Sequence, residues 1–66
     1  MNTPYKVIIV DDELISRGFM ELLIKPSKEF QIIAAMPFAK DALKWCQDSE
    51  IPDLIIMDVM MGQGID

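Results

Sequence analysis

The sequence predicts an α/β fold: a three-stranded parallel sheet of order 2-1-3 with one helix on each face. Short apolar runs, Val7-Ile8-Ile9-Val10, Ile32-Ile33-Ala34-Ala35 and Leu54-Ile55-Ile56-Met57, alternate with longer stretches whose apolar residues recur at helical spacing. Such alternation builds βαβ units, and crossovers between parallel strands are right-handed in nearly all cases. In the most familiar arrangement of two units sharing their middle strand, the first strand lies in the centre and the helices cover opposite faces of the sheet.

Each element has its own reason. Tyr5 to Val10 reads as a buried strand, because an uninterrupted β-branched run suits a parallel strand covered on both faces. Leu14 to Ile24 reads as a helix. Its Leu14, Ile15, Phe19, Leu22 and Leu23 form a stripe of the kind that faces a core, while Ser16, Arg17 and Glu21 fall elsewhere. Pro26 ends it. Gln31 to Ala35 is a second strand, closed by Pro37. Ala39 to about Ser49 is a second helix, with Ala42, Leu43 and Cys46 inward, Lys40, Asp41, Lys44 and Asp48 outward, and Trp45 packing at its flank. Pro52 and Asp53 introduce the strand Leu54 to Met57, which runs into Asp58.

Bulk properties narrow the class. Sixty-six residues make one small domain, and Cys46, the only cysteine, rules out an internal disulfide and reads as a small packing residue. A hydrophobic content of 52% is too rich for disorder, yet no stretch approaches the roughly 18 apolar residues of a membrane span. The N-terminus lacks the layout of a secretory signal. A net charge of -5 argues against gripping a nucleic-acid backbone. A soluble, cytoplasmic piece is expected.

The acids carry the chemistry. Asp11 and Asp12 leave the end of the first strand, and Asp58 leaves the end of the third, its predicted neighbour. Open α/β sheets bind ligands at such a switch point, outside the carboxyl ends of the strands. Crowded carboxylates repel one another unless something positive joins them. No His or Arg stands beside them in sequence, and Lys6 lies at the far end of the first strand. Magnesium, held by one or two carboxylates together with waters and phosphate oxygens, answers that need. Asp58 interrupts an apolar run, a costly place for a carboxylate without a task. Beside a metal it could attack a phosphoryl group. The plainer readings are helix-start charge or capping for Asp12 and Glu13, and turn opening for Asp58.

"KVIIVDDE", a helix, and then "PDLIIMDVMM" resemble the N-terminal half of a response-regulator receiver domain. "VDDELISRGFMELL" and "IIAAMPFAKDALKW" are most similar to regulators of the NarL/LuxR type. The resemblance implies a truncated flavodoxin-like, CheY-like doubly wound fold. It implies that Asp58 is the phosphoacceptor, served by a sensor histidine kinase. Asp12 matches the direct Mg²⁺ ligand, Asp11 its companion, and Met60 the position whose backbone carbonyl completes the metal shell. Glu13 is read as helix-start charge. It further implies control of transcription through a DNA-binding output domain beyond Asp66. Receivers catalyse their own phosphorylation from small donors but are not counted as enzymes.

Two departures stand out. Met61 is followed by Gly62 where the family usually has proline, so the "GQGID" segment is off-pattern. Receivers also have five strands, so the half bearing the phosphoryl-contacting hydroxyl and lysine is expected to be missing. The strand Leu54 to Met57 is then an open apolar edge expected to self-associate. An alternative function is a receiver remnant that is not phosphorylated and acts as a protein-interaction module. A metal-dependent phosphatase of another α/β superfamily fits poorly, because it would space its acids Asp-x-Asp. "GQG" lacks the following Lys of a phosphate loop.

Overall fold

The computed structural model describes residues 3–58. The elements follow in the order β1 (Tyr5–Val10), α1 (Leu14–Ile24), β2 (Phe30–Met36), α2 (Ala39–Asp48) and β3 (Leu54–Met57). The sheet order is β2-β1-β3 with both pairings parallel, the predicted arrangement. β2 extends one residue beyond the predicted run at each end, and α2 stops at Asp48 with Ser49 as its C-cap.

The central strand is the core. Val7, Ile8, Ile9 and Val10 have no exposed surface, whereas Tyr5 and Lys6 at its start are exposed. β1 pairs with β3 in register from Val7↔Leu54 to Val10↔Met57. Its pairing with β2 slips between Val7↔Ile32 and Ile8↔Ala34, so Ile33 is an extra residue that bulges the strand. On one face Ile8 and Val10 pack with Met36 and with Ala42 of α2, joined by half-buried Ile33, Trp45 and Cys46. Val7 and Ile9 point to the other face, under α1.

Two orientations differ from the sequence expectation. Leu43 is 67% exposed, not inward. Ala42, Trp45 and Cys46 sit at i, i+3 and i+4 and make the contact line, and Leu43, one residue on from Ala42, is turned about 100° away from it. The larger correction concerns α1, which has no buried residue. Leu14, Ile15, Phe19, Leu22 and Leu23 are all exposed, by 60 to 80%. The half-buried residues are Ser16, Arg17, Met20, Glu21 and Ile24, a different i, i+4 line. In that rotation the Arg17 guanidinium donates to the carbonyl of Asp11, the residue that follows β1.

The start of β3 is pinned at the other end of the sheet. The Lys6 N–H donates to Asp53 Oδ2 and the Asp53 N–H donates to the Lys6 carbonyl, both at 2.8 Å. Lys6 Nζ meets Glu50 Oε2 at 2.7 Å. That hydrogen bond and the Glu50 charge hold the ammonium above its ordinary value of 10.5 against a smaller desolvation effect, with the Asp53 charge adding least.

Candidate metal centre

Two ladder hydrogen bonds continue past the strand ends and create the site. The Asp11 N–H donates to the Met36 carbonyl at 3.1 Å, and the Asp58 N–H donates to the Val10 carbonyl at 3.1 Å. Each acid is therefore placed by the sheet itself, which is the most rigid part of this small fold. Asp11 is 1% exposed, Asp58 is half-buried and Asp12 is exposed. Oxygen atoms of all three lie within 4.8 Å of one another. The structure brings together the three acids that the sequence singled out.

The donor set fits a hard divalent cation. All three groups offer carboxylate oxygen, the ligand type magnesium takes. Octahedral coordination at about 2.1 Å sets ligand oxygens roughly 3 to 4 Å apart, and the oxygens here lie within 4.8 Å of one another. The remaining capacity of Asp11 is well defined. Its Oδ1 accepts the Glu13 N–H at 2.9 Å, so Oδ2 is the oxygen turned to other work.

Glu13 stands outside the cluster. It is the N-cap of α1, its carbonyl accepts the Arg17 N–H at 2.9 Å, and its carboxylate accepts the Ser16 hydroxyl at 2.6 Å. Its reading as helix-start charge agrees with this. Met60 and the "GQG" segment lie outside the described residues.

Sequence reasoning missed Arg17. No Arg stands beside the acids in sequence, and it is the fold that brings Arg17 Nη1 to the Asp11 backbone carbonyl, to which it donates at 2.8 Å. The signal was available: residue 17 lies one helical turn past the N-cap, on the turn that overhangs the end of β1.

The sequence matches the response regulator receiver domain family over residues 7–66. The chain belongs to that family. This receiver domain is 34% identical over 57 residues to the sensory transduction protein LytT of Bacillus cereus, covering 86% of the chain and 23% of that relative. It is 39% identical over 58 residues to the transcriptional regulatory protein YdfI of Bacillus subtilis, covering 88% and 27%. It is 31% identical over 61 residues to a protein-glutamate methylesterase/protein-glutamine glutaminase of Paramagnetospirillum magneticum, covering 92% and 17%. The chain thus spans about a quarter or less of the length of these curated relatives. Their names include a transcriptional regulator and an enzyme, so they identify the receiver and do not single out the NarL/LuxR type. No solved structure matches at a significant level. Among the described residues, no helix is long and apolar enough to cross a membrane.

Proposed function

We propose that this receiver accepts a phosphoryl group on Asp58 from a sensor histidine kinase, with Mg²⁺ held by Asp11, Asp12 and Asp58. The observation that carries the reading is the convergence of three carboxylates within 4.8 Å at the switch point of a parallel sheet. A carboxylate oxygen of Asp58 attacks the phosphorus of the donor phosphohistidine. The new P–O bond forms as the P–N bond breaks, and the bonding pair returns to the imidazole. When bound, the cation neutralises charge on the transferring phosphoryl oxygens. Asp11 and Asp12 hold and orient it, and the ladder bond of Asp58 keeps the nucleophile at a fixed height above the sheet. The Met60 carbonyl is the remaining protein ligand in this reading. The output is control of transcription through a DNA-binding domain, and the setting is the cytoplasm, where the kinase delivers its phosphoryl group. The receiver acts as a switch and not as an enzyme in its own right.

The test is incubation of the full chain with a small acyl phosphate and Mg²⁺, followed by intact mass. One phosphoryl group is expected on the parent and none on Asp58→Asn; a phosphorylated Asp58→Asn protein would end the assignment.

A second reading is favoured by one observation, the large apolar surface left open. Among the described residues β3 is an edge strand; its Leu54, Ile55 and Met57 are 40 to 44% exposed, and the α1 stripe is more exposed still. In this reading the domain is a protein-interaction module that self-associates by strand pairing along Leu54 to Met57. Concentration-independent monomers in sedimentation would exclude it, as would loss of partner binding in Asp58→Asn.

A further inference from the structure

We infer that Arg17 is a positioning residue for the metal site: its hydrogen bond to the Asp11 carbonyl aims the Asp11 carboxylate at the cation. This rests on the metal-dependent reading above and deepens it.

Asp11 is held by three hydrogen bonds from three different parts of the fold. Its N–H donates to the carbonyl of Met36, the last residue of β2, its Oδ1 accepts the Glu13 N–H of the α1 N-cap, and its carbonyl accepts Arg17 Nη1 at 2.8 Å. The first comes from the sheet and the second from the local turn. The third has a particular origin. Pairing between β1 and β2 ends at Val10↔Met36, and the chain then turns away through Pro37 into α2. Asp11 is therefore the first residue whose carbonyl is left beyond the β1–β2 ladder, although the residue is 1% exposed. A buried carbonyl in that position needs a donor, and the guanidinium supplies it.

The connection has a direction. Arg17 reaches back six residues from the second turn of α1, so the bond ties the helix to the turn that carries both Asp11 and Asp12. Arg17 lies on the half-buried line with Met20, Glu21 and Ile24, the face of α1 turned toward the sheet. A charged donor on a carbonyl is among the stronger hydrogen bonds. Groups that orient metal ligands from behind typically matter by 10- to 100-fold in metal affinity.

The sign of the effect separates positioning from simple charge. Arg17 is a cation close to the acids, and removing it would by electrostatics alone tighten Mg²⁺ binding. Removing an aiming bond loosens it.

The experiment measures Mg²⁺ affinity by calorimetry for the full chain as parent, Arg17→Met, Arg17→Gln and Arg17→Lys, with amide exchange at Glu13 followed in the metal-free proteins. Arg17→Met is expected to bind Mg²⁺ about tenfold or more weakly. Arg17→Lys, which keeps a single donor of the same charge, is expected to stay within about threefold of the parent, since the bond is monodentate. Exchange of the Glu13 amide is expected to quicken in Arg17→Met and not in Arg17→Lys. If Arg17→Met fails to fold, Arg17→Gln carries the same comparison, with a shortened neutral donor and the same weakened affinity expected. Equal or tighter Mg²⁺ binding in the folded neutral variants, with Glu13 exchange unchanged, would overturn the inference while leaving the metal site standing. A parent that binds no Mg²⁺ would remove the metal-dependent reading and this role with it.

Discussion

The backbone N–H of Asp58 donates to the carbonyl of Val10, so the third strand hands its terminal acid to the strand that ends in Asp11. The sheet thus fixes the spacing of the acids before any side-chain torsion is chosen. Asp11 and Asp12 nonetheless differ sharply in what they do for the fold. Asp11 is buried and accepts the Glu13 N–H, while Asp12 is exposed. Asp11→Ala is expected to weaken Mg²⁺ binding and also to destabilise the metal-free domain by about 1–2 kcal/mol, because an N-terminal helix donor loses its acceptor. Asp12→Ala is expected to weaken Mg²⁺ binding with a stability change within about 0.5 kcal/mol. Paired calorimetric titration and denaturant unfolding of the two variants check the contrast; equal destabilisation would contradict it.

The central strand predicts where the domain fails. Ile8 is fully buried and lies at the middle of the cluster with Val10, Met36 and Ala42. Ile8→Ala leaves a cavity that costs about 2–5 kcal/mol. Small domains hold only about 5–15 kcal/mol in total, and one of this size sits at the low end. Circular dichroism at 25 °C is expected to show Ile8→Ala largely unfolded, whereas Ile8→Val, which costs about 1 kcal/mol, stays folded.

The Lys6 tie predicts a loss of stability in alkali. Its folded-state value lies above the ordinary 10.5, through the Glu50 hydrogen bond first. Protonation therefore favours the folded state, and the contribution is complete below the unfolded value and lost as pH rises through the folded one. The pair is exposed, so the effect is small. As pH rises through and above about 10.5, the melting temperature of the parent is expected to fall slightly more steeply than that of Glu50→Gln. Parallel melting curves would show the pair to be energetically silent.

Much of this was legible in the sequence, and the reason is that parallel strands buried on both faces write a continuous apolar signal. Val7 to Val10 and Leu54 to Met57 carry that signal, and the residue that interrupts each run is an acid, Asp11 or Asp58. Crossover handedness limits the arrangements, the familiar doubly wound order puts the first strand in the centre, and the structure has that order, which brings the acids together. Three features were not legible. The bulge at Ile33 depends on a register slip that an apolar run does not encode. The Lys6–Asp53 exchange joins residues 47 apart. The rotation of α1 was misjudged because hydrophobic spacing shows which residues share a face and not which face meets the sheet. In the observed rotation Arg17 reaches the Asp11 carbonyl while five large apolar side chains stay exposed.

That rotation gives the sharpest test of the fold. Were Phe19 and Leu22 facing a core, truncating either would cost about 2–5 kcal/mol. At 60% and 70% exposure they contribute little to the folded state, and Phe19→Ser and Leu22→Ser are each expected to change stability by about 0.5 kcal/mol or less. Both are expected to reduce binding of a hydrophobic dye, because each removes exposed apolar surface. Met20 and Ile24 lie on the half-buried line and serve as internal controls, with larger losses on truncation to Ala. Denaturant unfolding of the four variants reads the orientation directly. A loss of several kcal/mol at Phe19 or Leu22, with none at Ile24, would place the apolar stripe against the sheet and remove Arg17 from its seat beside Asp11.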